Sequence, residues 1–386
     1  MKKRTIILIA AGAALLCAAV FIPLAVINSK TVKVAFYGVG TRVQDSVKSE
    51  IESMNLGRVR YYVLDDSAAL PSGFEKKYSL LVAKNSLAVK NEAAKFIPVG
   101  EGLMESFPIS IRKSTALGER HYAIPILLDN FEIAYYMPAM KNLELSAPRN
   151  YGGLLRYLKA VKKTQEIPLA CAGAEDKDLL GFVSVMAEIL YGAEDYKKML
   201  EMVKESAALN KSALPESLTR VLDEIKAMQE KGFLFPQWTK ASPRDVSYFM
   251  QERKLGASAM FLSERRDFEY NLIKFYEASL FPRYDNSVEH GALAPQIVAA
   301  LLNDKNGAHL ILGQLASVSA QENLTNFSLL APTSSRAESV DRQADDVRFW
   351  AASSAAGALG GIEEECEVLA DRRRLLAKKI RVYLES

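Results

Sequence analysis

Two polar residues interrupt a largely apolar stretch of the sequence. In "GERHYAIPILLDNFEIAYYM", Asp129 and Asn130 follow the run "IPILL" directly. Burying a carboxylate is costly unless hydrogen bonds or an opposite charge compensate for it. Asp129 is therefore predicted to lie on a turn capped together with Asn130, on a solvated face, or in a binding site where its oxygens accept hydrogen bonds from a ligand.

Residue types that usually carry catalysis or bind metals are scattered along the chain. His121, His290 and His309 stand far apart, so each is interpreted as a surface or turn residue. The cysteines lack metal-binding spacing, and a disulfide between Cys171 and Cys366 is left open. There is no GxSxG or HExxH motif and no glycine-rich phosphate loop. The sequence therefore predicts no enzyme, no cofactor and no metal site.

Length and charge restrict the class of protein. A chain of 386 residues is long enough for two folding units, because single cores usually stop growing at roughly 250 to 300 residues. The net charge of +3 comes from Lys2, Lys3 and Arg4, since the rest of the chain has 46 basic and 46 acidic residues. Nucleic-acid binding is not expected of such a neutral body.

The N-terminus predicts a membrane-associated protein. After Lys2, Lys3 and Arg4, no charged residue occurs from Thr5 to Ile27, and as a helix this segment would span about 35 Å. It is longer than the apolar region of a usual signal peptide, so a retained anchor is predicted, with the body outside the inner membrane. Lipidation at Cys17 and ordinary cleavage are the alternatives.

The hydrophobic pattern predicts an α/β fold. "TVKVAFYG" is β-branched and aromatic like a strand, and the next segment has a helical apolar stripe of Val43, Val47, Ile51 and Met54. Short apolar strands alternating with helices indicate a sheet covered by helices. Further strands are predicted at "VRYYVL", "YSLLVA" and "GASAMFL", and helices at 151–163, 179–191 and 216–230, from Ser242 through Phe249, along "AHLILGQLASVSAQ", and around Trp350 and Leu375.

The order of four segments resembles the maltodextrin-binding-like solute-binding proteins of sugar-type ABC importers. The stretch that contains Asp129 is similar to that family's segment with glycine, tyrosine and proline before an acid or amide. "PRNYGGLLRYLKAVKK" resembles the helix that opens its second lobe, and "FMQERKLGASAMFLSERRDF" resembles its G-x-A-A-M strand. "FWAASSAAGAL" stands where the family has a C-terminal helix with an aromatic residue.

The resemblance implies a two-lobed periplasmic-binding-protein-like α/β fold behind the membrane segment 1–30. One lobe would hold 31–127 and 284–325, and the other 128–283 and 326–386. It also implies capture of a small solute, carbohydrate or a derivative, by a monomer that delivers it to an ABC permease in the inner membrane. The rival hypothesis is an envelope-anchored interaction or scaffold protein on a degenerate form of this fold.

The resemblance also implies a set of solute contacts. Asp129 would accept hydrogen bonds from sugar hydroxyls, Trp350 would stack on a sugar face, and Arg266 would pair with an acidic group. The alternatives are a turn cap for Asp129, core packing for Trp350 and a solvated face for Arg266. The complete predicted set is Asp129, Trp350, Arg266, Lys84, Asn85 and Glu175.

Overall fold

The computed structural model describes most of the chain beyond its N-terminal segment. The described ranges are 31–208, 213–284, 291–366 and 369–386. The predicted N-terminal anchor, with Cys17, and His290 lie outside them. Within the described ranges, no helix is both long and apolar enough to cross a bilayer.

The strands form two main sheets and two short ribbons. They are β1 Val32–Tyr37, β2 Val59–Leu64, β3 Leu80–Lys84, β4 Ala116–Leu117, β5 Arg120–His121, β6 Ile124–Leu128, β7 Phe131–Tyr136, β8 Ile167–Cys171, β9 Leu255–Phe261, β10 Tyr276–Ser279, β11 Ala292–Leu293, β12 Gln296–Leu301, β13 Ala331–Pro332 and β14 Ala358–Leu359. The six-stranded sheet has the order β13-β6-β12-β3-β1-β2, and the four-stranded sheet has the order β10-β7-β9-β8. We call these sheets, with the helices that pack on them, the first and second lobes.

Helices cover both sheets. The α-helices are Thr41–Ser53, Phe74–Lys77, Leu87–Lys90, Glu101–Met104, Ile109–Arg112, Met137–Asn142, Tyr151–Val161, Asp176–Tyr191, Ala193–Ala208, Glu216–Glu230, Pro243–Gln251, Leu262–Arg265, Tyr270–Ile273, Ala308–Ala316, Val318–Ser328, Arg342–Ser353, Ile362–Glu365 and Ala370–Glu385. Three short 3-10 helices are Ala93–Lys95, Lys113–Thr115 and Trp238–Lys240. The strands and helices predicted from the pattern are confirmed, apart from small shifts of their ends and one interruption.

That interruption falls within "AHLILGQLASVSAQ". The predicted helical stretch is divided at Ser317, whose backbone is extended and whose side chain accepts a hydrogen bond from the amide of Ala320. Serine favours such an N-cap, so a second helix starts immediately after the first. Ser242 acts in the same way for the helix Pro243–Gln251 and forms the predicted capping box with Asp245.

The first lobe buries both faces of its sheet. Val34 and Phe36 of β1 pack into one core cluster, whereas Ala35 and Tyr37 pack into another on the opposite face. Side chains alternate across a strand, so burial on both faces requires a continuous apolar run. This explains why "VKVAFY" is apolar at every position except Lys33.

The lobes are joined where β6 leads into β7. Asp129 and Asn130 lie at this crossing, between a strand of the six-stranded sheet and a strand of the four-stranded sheet. Later in the chain, the short strand β13 returns to the first sheet and pairs with Leu127 and Leu128 of β6. Because β13 extends the edge of the first sheet, the chain belongs to that sheet through Pro332. The lobe boundary at 325 that the resemblance implies lies earlier in the chain.

The two cysteines of the body are not joined. Both Cys171 and Cys366 are buried free thiols. Cys171 contacts the carbonyl oxygen of Asp178, and Cys366 contacts that of Leu200. The disulfide left open by the sequence is therefore absent between these two residues.

Candidate functional site

An ion pair crosses from the first lobe to the second at the end of β3. Lys84 Nζ lies 2.8 Å from Glu364 Oε1 and 3.1 Å from Glu363 Oε2. Both acids belong to the helix Ile362–Glu365, and Ile362 is buried in the core of the second lobe. Burial alone would lower the pKa of Lys84, but the two carboxylates outweigh it and raise that pKa above its ordinary value. Lys84 is therefore a charged bridge between the lobes.

Two further ion pairs join the lobes. Lys90 pairs with Glu365 next to the Lys84 bridge, and Arg42 pairs with Asp267 at 2.6 Å. The Arg42 and Asp267 side chains are 53% and 58% exposed, so water and salt screen this pair strongly. The Lys84 bridge is better shielded, since Glu364 is only 3% exposed.

Asp129 uses its carboxylate within the protein. Its Oδ1 accepts a hydrogen bond of 3.0 Å from the amide of Ser263, and its Oδ2 accepts one of 2.8 Å from the Ser263 hydroxyl. Lys177 Nζ lies 3.7 Å from Asp129 Oδ2, 3.3 Å from Glu264 Oε1 and 4.3 Å from the centre of the Phe261 ring. The carboxylate thus ties the crossing between β6 and β7 to the end of β9.

A buried acid beside Lys177 was missed by sequence reasoning. Asp178 is fully buried, and neither carboxyl oxygen has a hydrogen-bond partner among the described residues. Burial, and then the neighbouring Glu264 carboxylate, raise the pKa of Asp178 to about 9 against the lowering effect of Lys177. The available signal was that Asp178 directly precedes a run of apolar residues. The sequence does not show, however, that Glu264 lies beside Asp178.

A cavity of about 340 Å³ lies between the lobes, and we call it the interlobe cavity. The first lobe contributes residues after the end of β3, around residues 110–114 and at the start of β12, and the second lobe contributes the helix Ala193–Ala208 and the segment before Cys366. The lining residues are Asn85, Lys90, Ser110, Lys113, Ser114, Tyr196, Lys197, Leu200, Glu201, Ala294, Pro295, Gln296, Ala356, Ala358, Leu359, Gly360, Glu364 and Glu365.

Lys84 and Asn85, two of the predicted site residues, lie at this cleft. Asn85 lines the cavity but is 5% exposed, and its amide group donates to the carbonyl oxygen of Ser114 at 3.2 Å. Its Oδ1 accepts a hydrogen bond of 2.6 Å from the Tyr122 hydroxyl. Asn85 therefore shapes the wall of the cavity with a side chain that is already hydrogen-bonded.

Arg266 does not lie on the solvated face considered for it. Its guanidinium pairs with Asp341 at 2.8 Å and donates to the carbonyl oxygens of Thr325 and Leu330. The side chain is 6% exposed. Arg266 thus connects the end of β9 with the chain that enters and leaves β13, and these bonds use its Nε and Nη1 donors.

Trp350 and Glu175 are placed away from these contacts. Trp350 is partly buried and packs against a cluster that includes Ile111, Leu128 and Leu262, and it is not among the residues lining the interlobe cavity. Glu175 is exposed immediately before the helix Asp176–Tyr191. The structure therefore brings Lys84 and Asn85 together but does not gather the predicted set around one cavity.

Ser110 and Lys113 have the S-x-x-K spacing of some serine nucleophiles and both line the cavity. The Ser110 hydroxyl donates to the carbonyl oxygen of Ala352 at 2.9 Å. A nucleophilic serine needs its proton directed at a base, which this hydrogen bond does not provide. The geometry gives no support to acyl transfer at Ser110.

Solved structures share this architecture, whereas no protein-family model and no curated protein matches the sequence. The bacterial solute receptor AcbH, described with an exclusive preference for β-D-galactopyranose, is 10% identical, with a TM-score of 0.75 over 92% of both chains. The binding protein MsmE from Bacillus subtilis, in an open conformation, is 11% identical, with a TM-score of 0.68 over 92% of this chain and 98% of its own.

A third similar structure is that of the sugar transporter BL01359 from Bacillus licheniformis in complex with stachyose. It is 14% identical, with a TM-score of 0.62 over 92% of this chain and 98% of its own. At such identities the likeness establishes the fold and leaves the ligand to the site itself. The chain thus has the two-lobed α/β fold of solute-binding proteins, as its sequence motifs predict.

Proposed function

We propose that this protein is an extracytoplasmic solute-binding protein that captures a small carbohydrate or carbohydrate derivative for an ABC importer. The observation that carries the proposal is a cavity of about 340 Å³ with walls from both lobes of this fold. Binding pockets range from roughly 300 to 1,000 Å³, so this one suits a small solute. Similar structures described with galactopyranose and stachyose support the solute class.

Capture would work through closure of the two lobes. A solute in the interlobe cavity contacts the second wall only when the lobes are together, so its binding shifts the population toward the closed form. The crossing from β6 to β7 is the natural hinge, and Asp129 would fix its geometry through Ser263. A permease that recognises the closed form would then receive loaded protein more often than empty protein.

The six residues predicted from the sequence differ in how well their positions suit solute contact. Asn85 lines the interlobe cavity and Lys84 borders it through Glu364, so these two of the six lie nearest to a solute in that cavity. Solute contacts stay a prediction for the other four residues, Asp129, Trp350, Arg266 and Glu175. The hydrogen bonds of Asp129 and Arg266 favour a positioning role for both residues.

Solute capture predicts a ligand-dependent rise in melting temperature. The full-length protein in mild detergent would be heated with monosaccharides, disaccharides, sugar acids and sugar phosphates. A ligand at 100 times its Kd stabilises the folded state by about 2.7 kcal/mol, so at least one compound should raise the Tm by several degrees. Glycerol at the same concentration controls for general osmolyte stabilisation. No rise with any compound at 10 mM, roughly 10 times a weak Kd of 1 mM, would contradict solute capture.

We also propose that residues 1–30 are retained as a membrane anchor that keeps the body on the extracytoplasmic side. The support is the uncharged segment from Thr5 to Ile27 behind three positive residues. Mass spectrometry of the protein extracted from membranes should find an N-terminal peptide that includes Lys2 and Lys3. A mature chain that begins at a diacylated Cys17, or one that begins after residue 17, would disprove the anchor.

One observation favours the alternative of an anchored interaction or scaffold protein. The charges at the cleft are matched across the lobes by Lys84 with Glu363 and Glu364, and by Lys90 with Glu365. Such pairing holds the lobes together without a solute. If the alternative holds, the thermal screen gives no stabilising compound, and crosslinking in membranes yields an envelope protein other than a permease.

A further inference from the structure

We propose that the solute is an anion, a sugar acid or sugar phosphate, and that Lys113 and Lys197 bind its charged group from opposite lobes. This inference rests on the proposed function and specifies its substrate class. Lys113 begins the short 3-10 helix after Ile109–Arg112 in the first lobe, and Lys197 lies in the helix Ala193–Ala208 of the second lobe. Both line the interlobe cavity.

The first support is the pattern of charge pairing around the cavity. Every carboxylate in the lining has a lysine partner. Glu364 pairs with Lys84, and Lys84 also pairs with Glu363. Glu365 pairs with Lys90, and Glu201 pairs with Lys204. Lys113 and Lys197 are exposed, and neither has an acidic partner in the part of the chain that the structure describes. The cavity therefore presents two ammonium groups that no described carboxylate neutralises.

The second support is that the neutral polar groups of the lining are already engaged. The Ser110 hydroxyl donates to Ala352, the Ser114 hydroxyl donates to Gln296, and the Tyr196 hydroxyl donates to the carbonyl oxygen of Gly360 at 2.9 Å. Gln296 donates in turn to Ile111. A neutral sugar needs unengaged donors and acceptors for its hydroxyls, and these side chains offer few.

The third support is the absence of a stacking surface in the lining. Tyr196 is the aromatic residue among the lining side chains, and it is fully buried. Neutral sugars gain much of their affinity by packing C–H faces on aromatic rings, which present large apolar surfaces. The cavity instead offers small apolar residues such as Ala294, Ala358 and Leu359.

An anion would also account for ligand-driven closure. Lys113 and Lys197 carry like charges from different lobes, so bringing both to an empty cavity is unfavourable. A carboxylate or phosphate between the two ammonium groups attracts both of them, which outweighs their repulsion, and it accepts charge-assisted hydrogen bonds from both. The closed form would then be favoured specifically by a charged solute.

The test is isothermal titration with probes matched except for charge. Glucose, glucuronate and glucose 6-phosphate form one set, and galactose and galacturonate form another. At least one charged probe should bind at least tenfold more tightly than its neutral partner. Lys113→Gln and Lys197→Gln should each weaken that binding about tenfold, which is about 1.4 kcal/mol. Lys198→Gln is the matched control, because Lys198 is exposed beside Lys197 but pairs with Asp195, and it should leave the affinity unchanged.

The outcomes separate this inference from the function on which it rests. If a neutral sugar binds as tightly as its charged partner and both glutamine variants keep that affinity, the anion inference is wrong and solute capture stands. If no compound of the thermal screen, charged or neutral, binds, the proposed function and the inference are both wrong. Both exposed lysines can be replaced without disturbing the core, so folded variants are expected.

Discussion

Replacing Lys84 with methionine should open the cleft of the unliganded protein. Methionine keeps much of the apolar stem of lysine but leaves Glu363 and Glu364 facing the first lobe without their shared cation. Removing one partner of a well-buried ion pair costs about 3 to 5 kcal/mol, and the 24% exposure of Lys84 reduces this to about 2 kcal/mol. Opening hydrates the acids and relieves this cost, so the ratio of closed to open molecules should fall about 30-fold.

Small-angle X-ray scattering would detect this change as a larger radius of gyration. Arg42→Met is the matched control, because the Arg42–Asp267 pair also crosses the lobes but is more than half exposed. Its loss should change the equilibrium by less than about 0.5 kcal/mol. Combining Lys84→Met with glutamines at 363 and 364 should restore part of the closed population, since no uncompensated charge is left. Scattering from Lys84→Met that matches the unmodified protein would show that the bridge does not hold the lobes together.

Replacing Asp178 with asparagine should make stability less dependent on pH. Burial and Glu264 raise the pKa of Asp178 to about 9, so the folded protein holds a proton there that the unfolded chain, with a pKa of 3.8, releases. Because the folded-state pKa is above the unfolded value, Asp178 contributes its full stabilising free energy below about pH 4 and loses this contribution as pH rises toward 9. Asparagine has no proton to lose, so this decline should disappear.

The melting temperature from pH 5 to pH 9 measures this effect. Between pH 5 and pH 9 the unmodified protein should lose on the order of 5 kcal/mol of stability relative to the Asp178→Asn variant, a change of several degrees in Tm. Glu175→Gln is the control, because Glu175 is an exposed acid three residues earlier, immediately before the helix that holds Asp178. Parallel curves for the Asp178 variant and the unmodified protein would mean that Asp178 is ionised in the folded state.

The two effects have a common physical origin in charged groups that are removed from water. Lys177, beside Asp178, lies near Asp129 and Glu264, and Lys84 lies near Glu363 and Glu364. Charges removed from water need close partners, and here each partner comes from a different segment of the chain. Both predictions therefore depend on how well these charged groups are matched inside the folded protein.

Local patterns in the sequence predicted the elements well. The apolar run of β1, the stripe of the helix Thr41–Ser53 and the serine cap before Pro243 each depend on residues a few positions apart. Backbone hydrogen bonding and side-chain periodicity are satisfied at that range, so a single segment carries the information. The two-lobed fold was indicated by the resemblance of four segments, in their order, to solute-binding proteins.

The candidate site was predicted less completely because its contacts are distant in sequence. Arg266 and Lys84 are both cations near strand ends, and nothing local distinguishes them. Only the folded chain pairs Arg266 with Asp341 behind the crossing and Lys84 with Glu363 and Glu364 at the cleft. The same limitation applies to Asp129, whose partner Ser263 becomes a neighbour only when β7 pairs with β9.

The sequence by itself determined the α/β class and the strands and helices that its pattern predicted, because hydrophobic period and capping act over a few residues. Tertiary structure decided which charges neutralise one another and which stay available to a solute. Lys113 and Lys197 face one cavity only because two separately folded lobes close on each other. Coulomb interactions depend on distance in space, and the linear order of residues does not encode that distance.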